Sequence, residues 1–199
     1  MKDYVVVPLG EIIDKEYDCQ KIEYAFKKFS CRREEDLENF LVQKAITYQK
    51  AEYGKTYLFL DKEKLDDGEF VIMAYFTIAH RAVDISDMSL SKRRKVLGEH
   101  PGRESIKSVS AFLIGQLGRC DDYTNDDLSG EQILDECYHA ISMAAKLIGG
   151  KLLVLECREH MFSKFYEMQK FKKLYDKLNE EGLYTLYKKI DFSEYWRYH

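Results

Sequence analysis

The chain has 199 residues, of which 45% are hydrophobic and 33% are charged, and this composition excludes a disordered or fibrous protein. Its formal net charge of −4 excludes an overall attraction to nucleic acid, although a local basic patch remains open. Because the chain has only two prolines and no glycine- or serine-rich linker, we expect one domain that covers residues 1–199.

The apolar segments are too short for a membrane protein. No run approaches the roughly 20 residues that cross a bilayer. The N-terminus has neither the apolar stretch nor the small-residue cleavage site of a signal peptide. We therefore expect a cytoplasmic protein that has no membrane partner.

The five cysteines and five histidines show no disulfide or metal-binding pattern. The number of cysteines is odd, none has CxxC spacing, and a chain of this length folds without disulfides. The histidines lack paired ligand spacing, so we expect reduced thiols and no metal. Cys120 and Cys157 lie near predicted strand ends, but no histidine partner supports a nucleophile, and we expect both to be buried.

The first half of the chain predicts strand, helix, strand and strand. Tyr4–Leu9 is apolar and β-branched, which is typical of a strand. Apolar residues recur at three- and four-residue intervals over 34–51, which predicts a helix. The segments 57–60 and 69–79 predict an antiparallel hairpin. Residues 84–102 are polar, and we expect them to be less regular.

The second half predicts a strand, a long helix and another strand. Residues 108–117 form the fourth predicted strand, and an acidic loop follows it. The helix begins at Ser129-Gly130 and ends at Gly149-Gly150, as a left-handed C-cap would end it. Since Leu152–Cys157 follows directly, the fourth and fifth strands are predicted to be parallel.

The long helix and the C-terminal segment complete the predicted fold. The helix carries one apolar stripe: Ile133, Leu134, Cys137, Ala140, Ile141, Ala144, Leu147 and Ile148. A short helix and two strands are expected over 162–169, 171–175 and 183–190. The sequence therefore predicts an α/β fold with a mixed sheet that has helices on both faces.

Ligands of open α/β sheets bind beyond the carboxyl ends of parallel strands, which here points to residues 116–130. The amides at a helix N-terminus suit a phosphate, and Ser129 and Gly130 allow close approach of the backbone. Two observations favour a simpler interpretation. Ser129 is also an ordinary N-cap residue, and the four aspartates of the preceding loop disfavour an anion unless they point away.

The wider pattern resembles the GNAT N-acetyltransferases. In that family the segment after the fifth strand typically reads Phe-Tyr-Glu-Lys-x-Gly-Phe. Phe165-Tyr166-Glu167 and Phe171 match it, and Lys170 stands where glycine is usual. The pyrophosphate motif, Arg/Gln-x-x-Gly-x-Gly/Ala, is matched only by its final glycine, Gly130. The resemblance implies a mostly antiparallel sheet whose parallel fourth and fifth strands splay apart at an acyl-CoA site.

The N-terminal half is similar to the GNAT branch that contains the acetyltransferase toxins of bacterial toxin–antitoxin pairs. That branch typically carries a Phe-x-Cys start, a Phe-Leu helix, a Thr-Tyr-Val strand and a Gly-Tyr-Tyr-Thr-Leu strand. The corresponding segments here are Phe29-Ser30-Cys31, Phe40-Leu41, Thr56-Tyr57-Leu58-Phe59 and Ala74-Tyr75-Phe76-Thr77-Ile78. The resemblance covers roughly residues 22–176.

The resemblance assigns roles to individual residues. Tyr166 falls where the family places its general acid. A phenol suits this role, because its pKa of about 10 keeps it protonated at neutral pH and it can donate to a leaving thiolate. Without the family context, Tyr166 is one of 15 tyrosines and a core aromatic. The implied acyl-CoA ligands are the backbone amides of Leu117, Gly118 and Arg119 for the acetyl and pantetheine groups, those of Ser129, Gly130 and Glu131 for the pyrophosphate, and the loop residues Asn125 and Leu128.

Two further features leave alternatives open. Glu156 lies in an apolar strand where burial would favour a general base, but it is equally expected to pair with a basic residue at the rim of the sheet. The basic cluster 92–95 is typical of a solvated helix face, and it also lies where the family builds its acceptor side.

We therefore expect an N-acetyltransferase that moves an acetyl group directly from acetyl-CoA to a primary amine. One alternative is a toxin that acetylates aminoacyl-tRNA. Another is a non-catalytic acyl-CoA-binding or interaction module, since the pyrophosphate loop departs from the family pattern. A homodimer is a further expectation.

Overall fold

The computed structural model describes residues 2–14 and 16–198, with the side chains of all of these except 16–19, 197 and 198. The thiol of Cys19 and the whole of His199 therefore lie outside the described residues. In chain order the elements are β1 (Tyr4–Pro8), α1 (Leu9–Ile13), α2 (Glu16–Lys28), α3 (Glu35–Gln43), α4 (Ala45–Lys50), β2 (Lys55–Asp61), α5 (Lys62–Asp66), β3 (Ile72–Asp84), α6 (Leu90–Leu97), β4 (Ser108–Arg119), α7 (Gly130–Ile148), β5 (Leu152–Cys157), α8 (Glu159–Met161), a π-helical turn (Phe162–Tyr166), β6 (Lys172–Lys173), β7 (Tyr184–Lys189) and a 3-10 helix (Phe192–Tyr198).

The strands form one mixed sheet in the order β1-β2-β3-β4-β5-β7-β6. The pairs β1–β2, β2–β3, β5–β7 and β6–β7 are antiparallel. The pair β4–β5 is parallel, with Phe112 opposite Leu153 and Ile114 opposite Leu155. The predicted α/β class and the parallel fourth and fifth strands are confirmed.

The chain divides into two compact units, and unit 1 comprises residues 1–79 and 115–140. Strand residues alternate between the faces of a sheet. Leu58 and Leu60 accordingly join the core that α1, α2 and α3 cover. On the other face, the Tyr4 ring packs 5.2 Å from Phe59 and its hydroxyl reaches Glu136 of α7 at 3.4 Å. Helices therefore lie on both faces of the sheet in unit 1.

Unit 2 comprises residues 80–114 and 141–199. Its core joins residues of β3, β4, β5 and β7, among them Val154 and Tyr187. The end of α7 follows the predicted cap, because Gly149 has φ +75° and its amide donates to the Ala145 carbonyl. Gly150 lies against Phe112, where a Cβ would come within 2.8 Å of the ring. The one-domain prediction stays a prediction.

Several elements differ from the predicted ones. The helix expected over 34–51 is two helices, α3 and α4, because the backbone of Lys44 (φ −123°) leaves helical geometry between them. Helices α1, α2, α5 and the C-terminal 3-10 helix were not predicted. The segment 84–102 is more regular than expected, since β3 continues to Asp84 and the basic cluster lies in α6.

The apolar stripe of α7 is buried only over its first half. Ile133, Cys137 and Ile141 are at most 1% exposed, whereas Leu147 is 86% and Ile148 64% exposed. The predicted apolar stripe thus continues to Leu147 and Ile148, but these last two residues are exposed. Periodicity shows which face of the helix is apolar, but not how far along its length that face is covered. None of the described helices combines the length and apolar character that a membrane span requires.

Candidate active site

Helix α7 begins with a reciprocal capping box. The Ser129 hydroxyl accepts a hydrogen bond from the Gln132 amide (3.1 Å), and the Gln132 side chain accepts one from the Ser129 amide (2.8 Å). This arrangement fixes the start of the helix. The Ser129 amide already donates to Gln132, so it could donate to a pyrophosphate only if that hydrogen bond broke. Of Ser129 and Gly130, Gly130 is therefore the better candidate for a pyrophosphate donor.

In the loop between β4 and α7 (residues 120–128, here called the β4–α7 loop), two aspartates accept hydrogen bonds from nearby backbone amides. The Asp121 carboxylate accepts from the Arg32 amide at 2.9 Å. The Asp127 carboxylate accepts from the amide and hydroxyl of Thr124, both at 2.8 Å. Asp121 and Asp127 are therefore directed at local donors, whereas Asp122 and Asp126 are exposed, which reduces the objection that four aspartates raise against an anion site.

Three of the predicted cofactor residues meet in this loop. The Arg119 guanidinium donates to the Leu128 carbonyl at 2.6 Å and lies 3.5 Å from the Asn125 side-chain oxygen. The Leu128 side chain is fully buried, so only its backbone can face a ligand. Arg119 thus brings a fixed positive charge to the residues that precede α7.

Gly118 has a structural reason to be glycine. A Cβ at this position would lie 2.3 Å from the Leu37 side chain of α3, which would force that side chain to shift. Leu37 is in turn held through its carbonyl, which accepts from the buried Tyr75 hydroxyl at 2.7 Å. The end of β4, including the predicted donors Leu117 and Arg119, is therefore packed closely under α3.

Tyr166 belongs to unit 2 and forms the third-from-last helical position of a Schellman motif. The Phe171 amide donates to the Tyr166 carbonyl at 3.0 Å, and the Lys170 amide donates to the Glu167 carbonyl at 2.9 Å. Lys170 takes the left-handed conformation that this motif requires, with φ +65°. The family pattern has glycine at that position, and this geometry is the physical reason.

The Tyr166 ring is buried, with 6% of its surface exposed, between Phe165 at 5.1 Å and Phe171 at 5.5 Å. The contact with Phe171 is the apolar contact that commonly accompanies a Schellman motif. Tyr166 also ends a π-helical turn, a rare element that occurs frequently at functional sites. Both interpretations of this tyrosine, packing and chemistry, therefore have support in unit 2.

Glu156 pairs with a basic residue, as its simpler interpretation predicts. Its carboxylate accepts from Arg81 at 2.9 Å, from the Asn179 amide group at 3.2 Å and from the Thr185 hydroxyl at 3.4 Å. All three donors meet the same carboxylate oxygen, so that oxygen is already occupied. This arrangement does not favour a general base, and spacing in the sequence contains no signal for the Arg81 partner.

The basic cluster of α6 is divided between structure and surface. Arg93 is 8% exposed, and its guanidinium donates to carbonyl oxygens of the chain segments on either side of α6. The acceptors are Ser86, Met88, Arg103, Glu104 and Ile106, at 2.8 to 3.3 Å. Arg94 and Lys95 are exposed. The expected solvated face thus has one buried member.

The four cysteines whose side chains the structure describes are poor nucleophiles. Cys31, Cys120, Cys137 and Cys157 are free and buried. Burial raises the pKa of the Cys31 and Cys157 thiols to about 11, which keeps both protonated at neutral pH. Within residues 2–14 and 16–198, no three His, Cys, Asp or Glu side chains are grouped as metal ligands would be.

Comparisons with known proteins identify the fold. No family model matches the sequence, and no curated protein does. The structure superimposes on a bacterial toxin with a TM-score of 0.74 and 13% identity, over 100% of this chain and 98% of the toxin. The chain has the GNAT-like fold of such toxins.

Two other solved structures with this fold extend the comparison. A mutant of KacT gives a TM-score of 0.67 at 15% identity, over 93% of this chain and 94% of KacT. AtaT complexed with acetyl-methionyl-tRNA gives 0.64 at 17% identity, over 92% and 94%. The KacT mutant carries phenylalanine in place of a tyrosine, and a mutant of AtaT carries the same kind of replacement.

Proposed function

We propose that this chain is an acetyl-CoA-dependent N-acetyltransferase whose acceptor is the primary amine of an aminoacyl-tRNA. The observation that carries the proposal is the fold, which matches toxins over nearly their whole length. AtaT is among these neighbours, both with acetyl-CoA and with acetyl-methionyl-tRNA. Such a protein acts in the cytoplasm, where both substrates occur.

The β4–α7 loop suits the pyrophosphate of acetyl-CoA in its donor chemistry. Helix α7 has 19 residues, and the first-turn amides of a helix have no partner within the helix. Gly130 at the first position leaves room for a phosphate, and the Arg119 guanidinium adds positive charge beside the loop. We assign the amides of Leu117, Gly118 and Arg119 to the acetyl and pantetheine groups on the resemblance alone.

Acetyl-CoA supplies an activated thioester, and the chain must supply orientation and a proton. We assign the proton to Tyr166, whose phenol would donate to the thiolate as it leaves. The neutral amine of the acceptor attacks the carbonyl carbon and the C–S bond breaks. The amine nitrogen then loses its proton to water, and solvent returns a proton to the Tyr166 phenolate. The Schellman motif supports this role, because it holds the ring in one orientation.

An RNA acceptor agrees with the distribution of charge. Unit 1 has 13 Lys and Arg against 23 Asp and Glu, a net charge of −10, whereas unit 2 has 18 against 12, a net charge of +6. The net charge of −4 is the sum over an acidic unit and a basic unit, so it does not exclude binding of nucleic acid by unit 2. Local basic surfaces, rather than total charge, attract a phosphate backbone.

The cations of unit 2 lie on adjoining elements. The Lys92 ammonium of α6 donates to the Lys173 carbonyl of β6 at 3.1 Å. The Lys189 ammonium of β7 lies 3.6 Å from the position that a Gly98 Cβ would take, at the end of α6. Arg94, Lys95, Lys172 and Lys189 are exposed on these elements. We propose that these four side chains contact tRNA phosphates, and we call them the basic surface.

Thermal unfolding with acetyl-CoA tests the cofactor assignment. A ligand that binds only the folded state raises the melting temperature. At a ligand concentration of 100 times its Kd, the free energy of unfolding rises by about 2.7 kcal/mol. We expect this shift in the wild type and its loss in Gly130→Val, whose branched side chain would fill the phosphate position. Asp135→Val introduces the same residue at an exposed position of α7 and should keep the shift.

The remaining alternative is a non-catalytic module. This alternative is favoured if the wild type shows no thermal shift at millimolar acetyl-CoA. Asn125 and Leu128, which depart from the family's pyrophosphate motif, would then have abolished cofactor binding. A homodimer also stays a prediction, which the molar mass in solution decides.

A further inference from the structure

Asp61, at the end of β2, is a buried carboxylate in unit 1 that the proposed reaction does not use. Its side chain is 2% exposed and accepts three hydrogen bonds. The donors are the Tyr123 hydroxyl at 2.9 Å, the Lys2 ammonium at 3.1 Å and the Lys64 amide at 3.3 Å. A buried charge is tolerated only when hydrogen-bond donors or opposite charges satisfy it. These three bonds are therefore part of the native structure.

Two of these donors lead to the β4–α7 loop. Tyr123 lies within the loop, and Lys2 reaches its far end, because the Lys2 backbone amide donates to the Asp127 carbonyl at 3.1 Å. The Lys2 ammonium also lies 5.5 Å from the centre of the Tyr123 ring. The middle and the end of the loop are therefore connected to one carboxylate on the sheet.

Apolar packing does not hold the middle of the loop by itself. Tyr123 borders a cavity of about 500 Å³ that Phe29 and Phe70 also line. A ring that faces a cavity lacks dispersion contacts on that side. Hydrogen bonds to an ionised acceptor are among the stronger ones in proteins. The bond to Asp61 therefore adds to the hydrogen bonds of Asp121 and Asp127 in ordering this segment.

The protonation states are consistent with this arrangement. Burial acts to raise the pKa of the Asp61 carboxyl, but the hydrogen bonds from Lys2, Tyr123 and the Lys64 amide outweigh it, and the pKa lies below its usual value. Burial and the Asp61 charge both raise the pKa of the Tyr123 phenol. At neutral pH the carboxylate is ionised and the phenol keeps the proton that it donates.

We propose that Asp61 is a positioning residue for the acyl-CoA site: through Tyr123 and Lys2 it holds the β4–α7 loop in the conformation that presents Arg119 and Gly130 to the pyrophosphate. This inference rests on the proposed function. Asp61 touches no substrate, and its effect is preorganisation, which improves affinity because the loop need not be ordered on binding.

Tyr123→Phe is the sharpest variant, since it removes one hydroxyl and keeps the ring. In the cofactor-free protein we expect faster hydrogen exchange of the amides in residues 120–128, measured by mass spectrometry. We also expect acetyl-CoA to bind about tenfold more weakly by calorimetry, the loss of roughly one charge-assisted hydrogen bond. The turnover rate at saturating acetyl-CoA should change less than twofold.

Tyr4→Phe is the matched control. It removes a hydroxyl of the same unit whose hydrogen bond goes to Glu136 of α7 rather than to Asp61. It should leave both exchange and affinity unchanged. Asp61→Asn keeps the shape and an acceptor for Tyr123, so its effects should fall between those of wild type and Tyr123→Phe.

Hydrogen exchange and calorimetry test the role of Asp61 separately from the proposed function. Unchanged exchange of residues 120–128 in Tyr123→Phe overturns the role of Asp61, whatever the protein binds. Faster exchange with unchanged acetyl-CoA affinity also overturns it. A wild type that binds no acetyl-CoA refutes the proposed function instead, and the exchange data then still decide whether Asp61 holds the loop.

Discussion

At the scale of single residues, the Tyr166 ring packs against Phe171 independently of any role of its hydroxyl. The ring contact and the backbone bonds of the Schellman motif use the carbonyl, the ring face and the chain direction of this residue. None of them requires the phenolic oxygen. A packing role and a catalytic role can therefore be tested separately, by removing that oxygen alone.

For Tyr166→Phe we expect a loss of turnover of about 100- to 10,000-fold, the range in which general acids typically contribute. Stability should fall by no more than about 1.5 kcal/mol, the net value of a hydrogen bond. Acetyl-CoA affinity should hold, because the proton is needed only as the thiolate leaves. Steady-state kinetics with a charged tRNA checks this. A variant with full turnover would assign Tyr166 to the core alone.

Lys170 is the second informative residue, since its φ of +65° is unfavourable for a side chain with a Cβ. We expect Lys170→Gly to raise the free energy of unfolding by about 0.5–1 kcal/mol. The substitution relieves backbone strain in the folded state, and the greater conformational entropy of glycine in the unfolded chain offsets part of that gain. Urea denaturation measures it. Lys172→Gly, in β6, serves as control and should not stabilise. A destabilised Lys170→Gly would show that the lysine makes contacts that outweigh its strain.

At the scale of elements, α6 shows how one basic run serves two purposes. Arg93 points inward and satisfies carbonyl groups on both sides of the helix, whereas Arg94 points outward. A guanidinium suits the inward role because its five N–H donors fan out in one plane. The helix is therefore the structural centre of the β3–β4 connection as well as part of the basic surface.

Arg93→Met should destabilise the protein by about 3 kcal/mol or more, because several buried carbonyl groups lose their charged donor. Arg94→Met, the adjacent and exposed arginine, should change stability by less than about 0.5 kcal/mol. Thermal or urea unfolding of the two variants checks the difference. Equal effects would mean that the carbonyl groups find other donors and that Arg93 is not essential to the connection.

At the scale of the whole molecule, charge is separated between the two compact units, at −10 and +6. This separation makes the salt dependence of binding the appropriate test for an RNA acceptor. Affinity falls with salt in proportion to the number of phosphates that cations neutralise. The net charge of the chain does not determine that number.

We expect the double variant Arg94→Glu, Lys95→Glu to weaken tRNA binding and to reduce the slope of log K against log salt by about 2, or one per lost phosphate contact. Lys27→Glu, Lys50→Glu makes the same change of charge in unit 1 and should leave the slope unchanged. Filter binding at several salt concentrations gives both slopes. Equal slopes in the two double variants would remove the basic surface from the acceptor site.

The sequence by itself determined the features that depend on neighbours along the chain. The start of α7 at Ser129, its end at Gly149 and the parallel pair β4–β5 follow from capping chemistry and from the length of the crossover. These signals are readable because the backbone bonds that they satisfy lie within about one helical turn.

Only the tertiary structure decided the partners that lie far apart in the chain. Asp61 meets Tyr123 and Lys2, Glu156 meets Arg81, and Arg93 takes carbonyl acceptors from segments on either side of its helix. The register of the strands and the paths of the loops set these pairings, and no spacing in the sequence encodes them. The same reason explains the exposed end of α7 and the charge of the two units, since burial and charge distribution are properties of the folded surface.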